Sequence, residues 1–325
     1  MASVKNRHGL SRYIPSSVKL QVRQRSKFGC VICRNGIYEY EHIVPFQNCE
    51  EHDPDKICLL CAHCHGKVTR GLTSKEIVIE KYKEVQQADI VKSPFDEFSF
   101  RAQNIDVHLG SSRFSNCKNL IMLGEEELLV IEAPEEGSTY PQITAMFTDD
   151  KSKQIFRINR NQWSGSNRVW DAQVIGTEIK IFRLSDKKIA LHIEVLHPNI
   201  FKIISLDMYY KQFHLFLSKD FMNVGRISPD LEVHLGFESL ISTGASIGIL
   251  VDTKIPHVPS TKINLGGERG IELVGSGVHL SMDSIAQTIK GLRYEYADRE
   301  KTITYEHSLL STIEKPKVRL LPSRL

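Results

Sequence analysis

Six of the seven cysteines fall between Cys30 and Cys64. Four of them make two Cys-x-x-Cys pairs, Cys30/Cys33 and Cys61/Cys64, with 27 residues between Cys33 and Cys61. Two such pairs can bring four thiolates around one tetrahedral Zn2+ ion. Cys58 forms a competing pair with Cys61, but it sits in the apolar run 57–60, where a buried free thiol is expected. His65 directly follows Cys64, which favours Cys61 and Cys64 as the second pair. Cys49 and Cys117 read as buried thiols as well.

Between the pairs stands Glu41-His42, and after the second pair stands His65. These residue types suit hydrolysis of a phosphodiester. That reaction needs an activated water, positive charge against the phosphate, and a proton for the departing oxygen. A neutral imidazole can take the proton from water. A hard cation, Mg2+ or Mn2+, held by a carboxylate and few other protein ligands, can neutralise the phosphate oxygens. His63, inside the second pair, is expected at the surface.

The ordered set Cys30-Val31-Ile32-Cys33, Glu41-His42-Ile43-Val44-Pro45 and Leu60-Cys61-Ala62-His63-Cys64-His65-Gly66-Lys67 resembles the HNH endonucleases. The resemblance covers roughly residues 14–90. It implies a small zinc-braced ββα-metal domain that cuts DNA. It implies His42 as general base, with Glu41 and His65 as ligands of the catalytic metal and Cys30, Cys33, Cys61 and Cys64 as ligands of a structural zinc. Glu41 replaces the family's more usual aspartate. The family's middle asparagine falls at Lys56, a departure. His52 could take that orienting role instead, or Lys56 could contact phosphate. Lys67 and Arg70 are further candidates for phosphate contact.

Several elements must position these groups. Ser16 or Ser17 is expected to cap a helix to about residue 26, with Val18 and Val22 on its buried face. Residues 37–43 have strand character, 46–56 read as a loop, and 57–60 lead into the second pair. A helix is expected over 62–69. A second, capped by Thr73 or Ser74, should run to about residue 88 with Ile77 and Tyr82 among its apolar positions. Residues 1–13 read as a flexible basic arm.

Composition changes near Ser93-Pro94, which divides the chain into 1–95 and 96–325. The second part alternates apolar and polar residues with a period of two, as in Ile189, Leu191, Ile193 and Val195 and in Phe213, Leu215 and Leu217. The fold class expected is α+β, the small domain followed by a mainly β domain built as a sandwich, barrel or solenoid. Trp163, Trp170 and Asp171 read more readily as packing than as a ligand patch. Gly266 to Gly270 lacks the context of a phosphate loop. Residues 257–280 read as loops and 282–296 as a helix.

The net charge is +3. It divides into +5 over residues 1–95, from 15 basic and 10 acidic side chains, and −2 over the rest, from 27 and 29. The basic excess lies with the motif and suits a phosphate-rich partner, expected to be double-stranded DNA. No apolar run is long enough for a membrane helix and no signal sequence is evident, so a cytoplasmic protein is expected. The whole reads as a nuclease of restriction or antiviral defence, whose β part recognises a target, senses an activating ligand or forms a homo-oligomer. A catalytically inactive, zinc-stabilised nucleic-acid-binding module is the alternative.

Overall fold

A computed structural model describes residues 5–88, 91–228 and, beyond them, short strands between residues 231 and 318. The fold is mixed α+β and largely β. The chain forms two compact units, one of residues 1–98 with 162–188 and one of residues 99–161 with 189–325. The expected division at residue 95 therefore misses one segment. Residues 162–188 pack with the first unit, because they carry buried partners for its helix and its cysteine loop.

In the first unit, α1 (Ser16–Arg25) is followed by an antiparallel pair, β1 (Glu39–His42) and β2 (Ile57–Leu60), then by α2 (Ala62–Thr69) and α3 (Lys75–Gln87). Every residue of β2 is fully buried, so the strand serves two cores at once. Ile57 and Leu59 pack with Ile14, Val22, Val18, Tyr38 and Tyr40. Cys58 and Leu60 face the other way, into a core with Val68 of α2 and with Val78, Tyr82 and Val85 of α3. The spacing of those α3 residues is that of one helix face. Ile77 is exposed because it lies off that face. Ser74 caps α3 by accepting the Ile77 N–H at 3.4 Å. Ser16 lies inside α1, whose cap position is taken by Pro15 without a side-chain hydrogen bond.

The segment 162–188 contributes strands Gln162–Gly165, Asp171–Ile175 and Glu178–Phe182. Trp163 is buried and lies so close to Gly36 that an added Cβ there would come within 2.3 Å of the indole. Asp171 receives two hydrogen bonds from Arg23, at 2.7 and 2.6 Å. Gln24 donates to the Trp170 carbonyl at 2.9 Å. The tryptophans and Asp171 are thus packing and pairing groups.

The second unit contains the alternating strands Ile189–Leu196, Ile200–Tyr210 and Phe213–Leu217, in which Leu191, Ile193, Val195, Phe201, Ile203, Phe213, Leu215 and Leu217 are buried while Leu196 and Phe216 are exposed. Its antiparallel pairs are joined by parallel ones. Asn119–Leu123 pairs with Ile247–Val251, which pairs in turn with Val278–Leu280. Residues 257–280, expected as loops, include strands Lys262–Asn264, Ile271–Val274 and Val278–Leu280. The stretch 266–270 and the helix expected over 282–296 lie outside the described residues. Among the described residues no helix is long and apolar enough to cross a membrane.

The side chains of Arg23 and Asp171 are 8% and 2% exposed. Removing one partner of a buried ion pair strands the other charge, at a cost of roughly 3–5 kcal/mol. Asp171→Ala should lower stability by about that amount in urea unfolding. The double variant Arg23→Met/Asp171→Leu should recover most of the loss.

Candidate metal centre and adjoining histidine pair

The sulfurs of Cys30, Cys33, Cys61 and Cys64 all lie within 4.8 Å of one another, and this is the one group of its kind among the described residues. Cys33 and Cys61 are 3.6 Å apart, close to the roughly 3.8 Å that tetrahedral thiolate coordination with 2.3 Å bonds requires. Local structure produces the cluster. The Cys30 N–H donates to the Asn35 carbonyl and the Arg34 N–H to the Cys30 carbonyl, both at 2.9 Å. Arg34 takes a φ of +69° to close this turn. Its buried guanidinium donates to the carbonyls of Ser26, Lys27 and Lys92, which holds the strained turn in place. Cys61 caps α2, its sulfur accepting the Cys64 N–H at 3.4 Å.

Four sulfurs this close cannot all ionise without a cation. Burial first, and then the charge of Cys30, pushes the Cys64 thiol up. Cys58 stays outside the cluster. Burial, with the negative charge of Glu41, pushes its thiol up to about 12, as suits a neutral core group.

Strand alternation sends Glu39 and Glu41 to the side of β1 that faces His65, in the first turns of α2. Glu39 Oε2 lies 3.0 Å from His65 Nδ1, and Glu41 Oε2 lies 3.1 Å from His65 Nε2. An imidazole with a carboxylate at each nitrogen has two options. It carries both protons, or a cation lies between Nε2 and Glu41. Adjacent ligands in octahedral coordination at about 2.1 Å stand about 3 Å apart, so the Glu41–His65 separation fits a hard divalent ion. Glu39, on the other nitrogen, would fix the ring as an outer partner. Lys75 Nζ sits 2.5 Å from Glu41 Oε1 and 3.0 Å from the His42 carbonyl. Lys75 balances one of the two carboxylates, and a doubly protonated His65 would balance the other.

His42 ends β1 with its ring on the opposite side from Glu41, in the loop between β1 and β2. It packs against Phe46 at 5.4 Å between ring centroids and meets His52, with Nε2 to Nδ1 at 3.3 Å. Burial first, then the neighbouring His52, holds His42 below the ordinary histidine value, with Glu41 opposing. Glu41 and His65 are therefore in direct contact, while His42 adjoins Glu41 through the backbone and within reach of its charge.

The remaining candidates spread outward. Lys56 forms an exposed ion pair with Asp53 at 3.3 Å. Lys67, Arg70 and His63 are exposed on or beside α2. Residues 5–13, expected as a flexible arm, are tied down. The Asn6 amide donates to the carbonyls of Phe46 and Cys49, at 2.8 and 2.6 Å. Its oxygen accepts the His8 and Leu10 N–H groups. Glu39 and Lys75 were not singled out by sequence. The Glu-x-Glu spacing on a strand was the available signal for Glu39, but nothing local marks Lys75.

Metal analysis should find about one zinc per chain, retained in Cys58→Ala and lost in Cys64→Ala. Loss in Cys58→Ala instead would exchange the two pairings. Comparison with protein-family models, with curated proteins and with solved structures returns no match for this chain.

Proposed function

We propose that the first unit is a metal-dependent HNH-type endonuclease acting on DNA, with the four cysteines holding a structural zinc. The observation that carries this reading is the placement of Glu41 Oε2 against His65 Nε2, one residue away from a neutral-leaning imidazole. Glu41 and His65 would hold the catalytic Mg2+ or Mn2+, with Glu39 steadying the His65 ring. A divalent cation there supplies positive charge for the phosphate oxygens and the departing oxygen.

The chain's own residues do the rest. His42, kept neutral by burial, accepts a proton from the attacking water. The new P–O bond forms as the old one breaks, and the departing oxygen takes a proton from solvent. Lys67 and Arg70 can steady the flanking phosphates without reading sequence. The β-rich second unit would recognise a target, respond to a ligand or mediate self-association in a restriction or defence system, a role carried by analogy alone.

The second reading, a zinc-stabilised DNA-binding module without cleavage, draws support from two features. Lys75 already neutralises one Glu41 oxygen, and Lys56 stands where the family has asparagine.

Supercoiled plasmid incubated with Mg2+ or Mn2+ should be nicked or linearised by the wild type. His42→Ala should be slower by about 10²–10⁴-fold, the usual worth of a general base. Glu41→Gln should be comparably impaired and should need more metal. Nicking that persists in His42→Ala would remove that residue from the chemistry. DNA retention in a gel shift without cleavage under either metal would favour the binding module.

A further inference from the structure

We propose that the N-terminal arm is a working part of the histidine site: the Ser11 carbonyl, acting through His52, keeps the His42 proton on Nε2 and leaves Nδ1 as the basic nitrogen. The catalytic half of this proposal rests on the nuclease reading; the chain of hydrogen bonds does not.

Donor logic gives the direction. His52 Nε2 lies 2.8 Å from the Ser11 carbonyl oxygen. A carbonyl only accepts, so His52 Nε2 must carry hydrogen. In a neutral His52 the lone pair is then on Nδ1, which faces His42 Nε2 at 3.3 Å. That approach is a hydrogen bond only when His42 Nε2 is the donor. A neutral His42 consequently has an unprotonated Nδ1, and the tautomer is set by what the far nitrogen touches.

The packing makes the direction durable. Phe46 stacks on His52, with 6.3 Å between centroids and 14° between planes, and also flanks His42. Asn6 fastens the arm to the carbonyls on either side of that same turn, at Phe46 and Cys49. Lys5 and Ser11 pair as an antiparallel β-bridge, flanked by the Asn6 N–H donating to the Leu10 carbonyl, so the backbone at Ser11 is itself tied into the arm. The titratable and charged groups acting on His42 are Glu41, Arg12, Lys75 and His52. His52 and the arm are positioning groups, acting on the reaction only through His42.

The test uses the zinc-loaded full chain, 15N-labelled, at a pH about two units above the ordinary imidazole value of about 6.5. A 15N–15N coupling through the hydrogen bond between His42 Nε2 and His52 Nδ1 is expected. It should vanish in His52→Ala and weaken in Asn6→Ala. In plasmid cleavage, His52→Ala should lower kcat by about 10–100-fold, the usual cost of losing an outer partner, with KM unchanged. His52→Gln should restore most of that rate, since one amide offers an acceptor to His42 and a donor to Ser11. Variants are compared at equal zinc content.

A His42 proton found on Nδ1, or an absent coupling in the wild type, would overturn the assignment. Equal impairment of His52→Ala and His52→Gln, or no loss in either, would overturn the positioning role. A wild type that shows the coupling but cuts no DNA would refute the nuclease reading and the catalytic half with it, while upholding the hydrogen-bond chain.

Discussion

Four sulfurs within 4.8 Å of one another cannot all carry charge unless a cation shares them. The rest of the first unit is arranged around that constraint. One pair belongs to the turn after α1 and the other to the start of α2, and the 27 residues between them hold the β1–β2 pair and its loop. Both pairs contribute to one buried core with Cys58, Leu60 and Val68, which sets α2 beside the β1–β2 pair, where His65 meets Glu39 and Glu41.

Strand alternation then divides the chemistry. Glu39 and Glu41 turn toward α2 and meet the two ring nitrogens of His65. His42 turns the other way, into the loop, where burial and His52 favour its neutral form. Because His42 is the last residue of β1, both groups lie at one strand end. Lys75 ties them together, with its ammonium on the Glu41 carboxylate and on the His42 carbonyl. In the nuclease reading, a phosphate lying across this strand end could be met from both sides.

Much of this was legible in the chain. The cysteine spacing identified the cluster members, and the apolar surroundings of Cys58 correctly set it aside. The helices at 62–69 and 75–87 followed from a cap, an apolar period and a glycine break. Other features were not legible, for physical reasons. The Arg23–Asp171 pair joins residues 148 positions apart, so nothing local could place 162–188 in the first unit. The arm looked mobile because it is polar, yet its order comes from one asparagine side chain that satisfies two carbonyls and two N–H groups. Lys75 reads as an ordinary first-turn helix residue until α3 is packed beside β1. His52 had only its proximity to the motif to recommend it, and its contact with His42 depends on how the loop folds back.

The central claim is that a cation held at Glu41 and His65 and the imidazole of His42 flank one phosphate from the two sides of the β1 end. Titration of the zinc-loaded protein with Mn2+, followed by relaxation of assigned histidine ring signals, tests it directly. The account predicts that the rings of His65 and His42 broaden together at low Mn2+, and that both effects disappear in Glu41→Gln. Broadening of His65 with His42 unaffected, or broadening that survives loss of the Glu41 carboxylate, would contradict it.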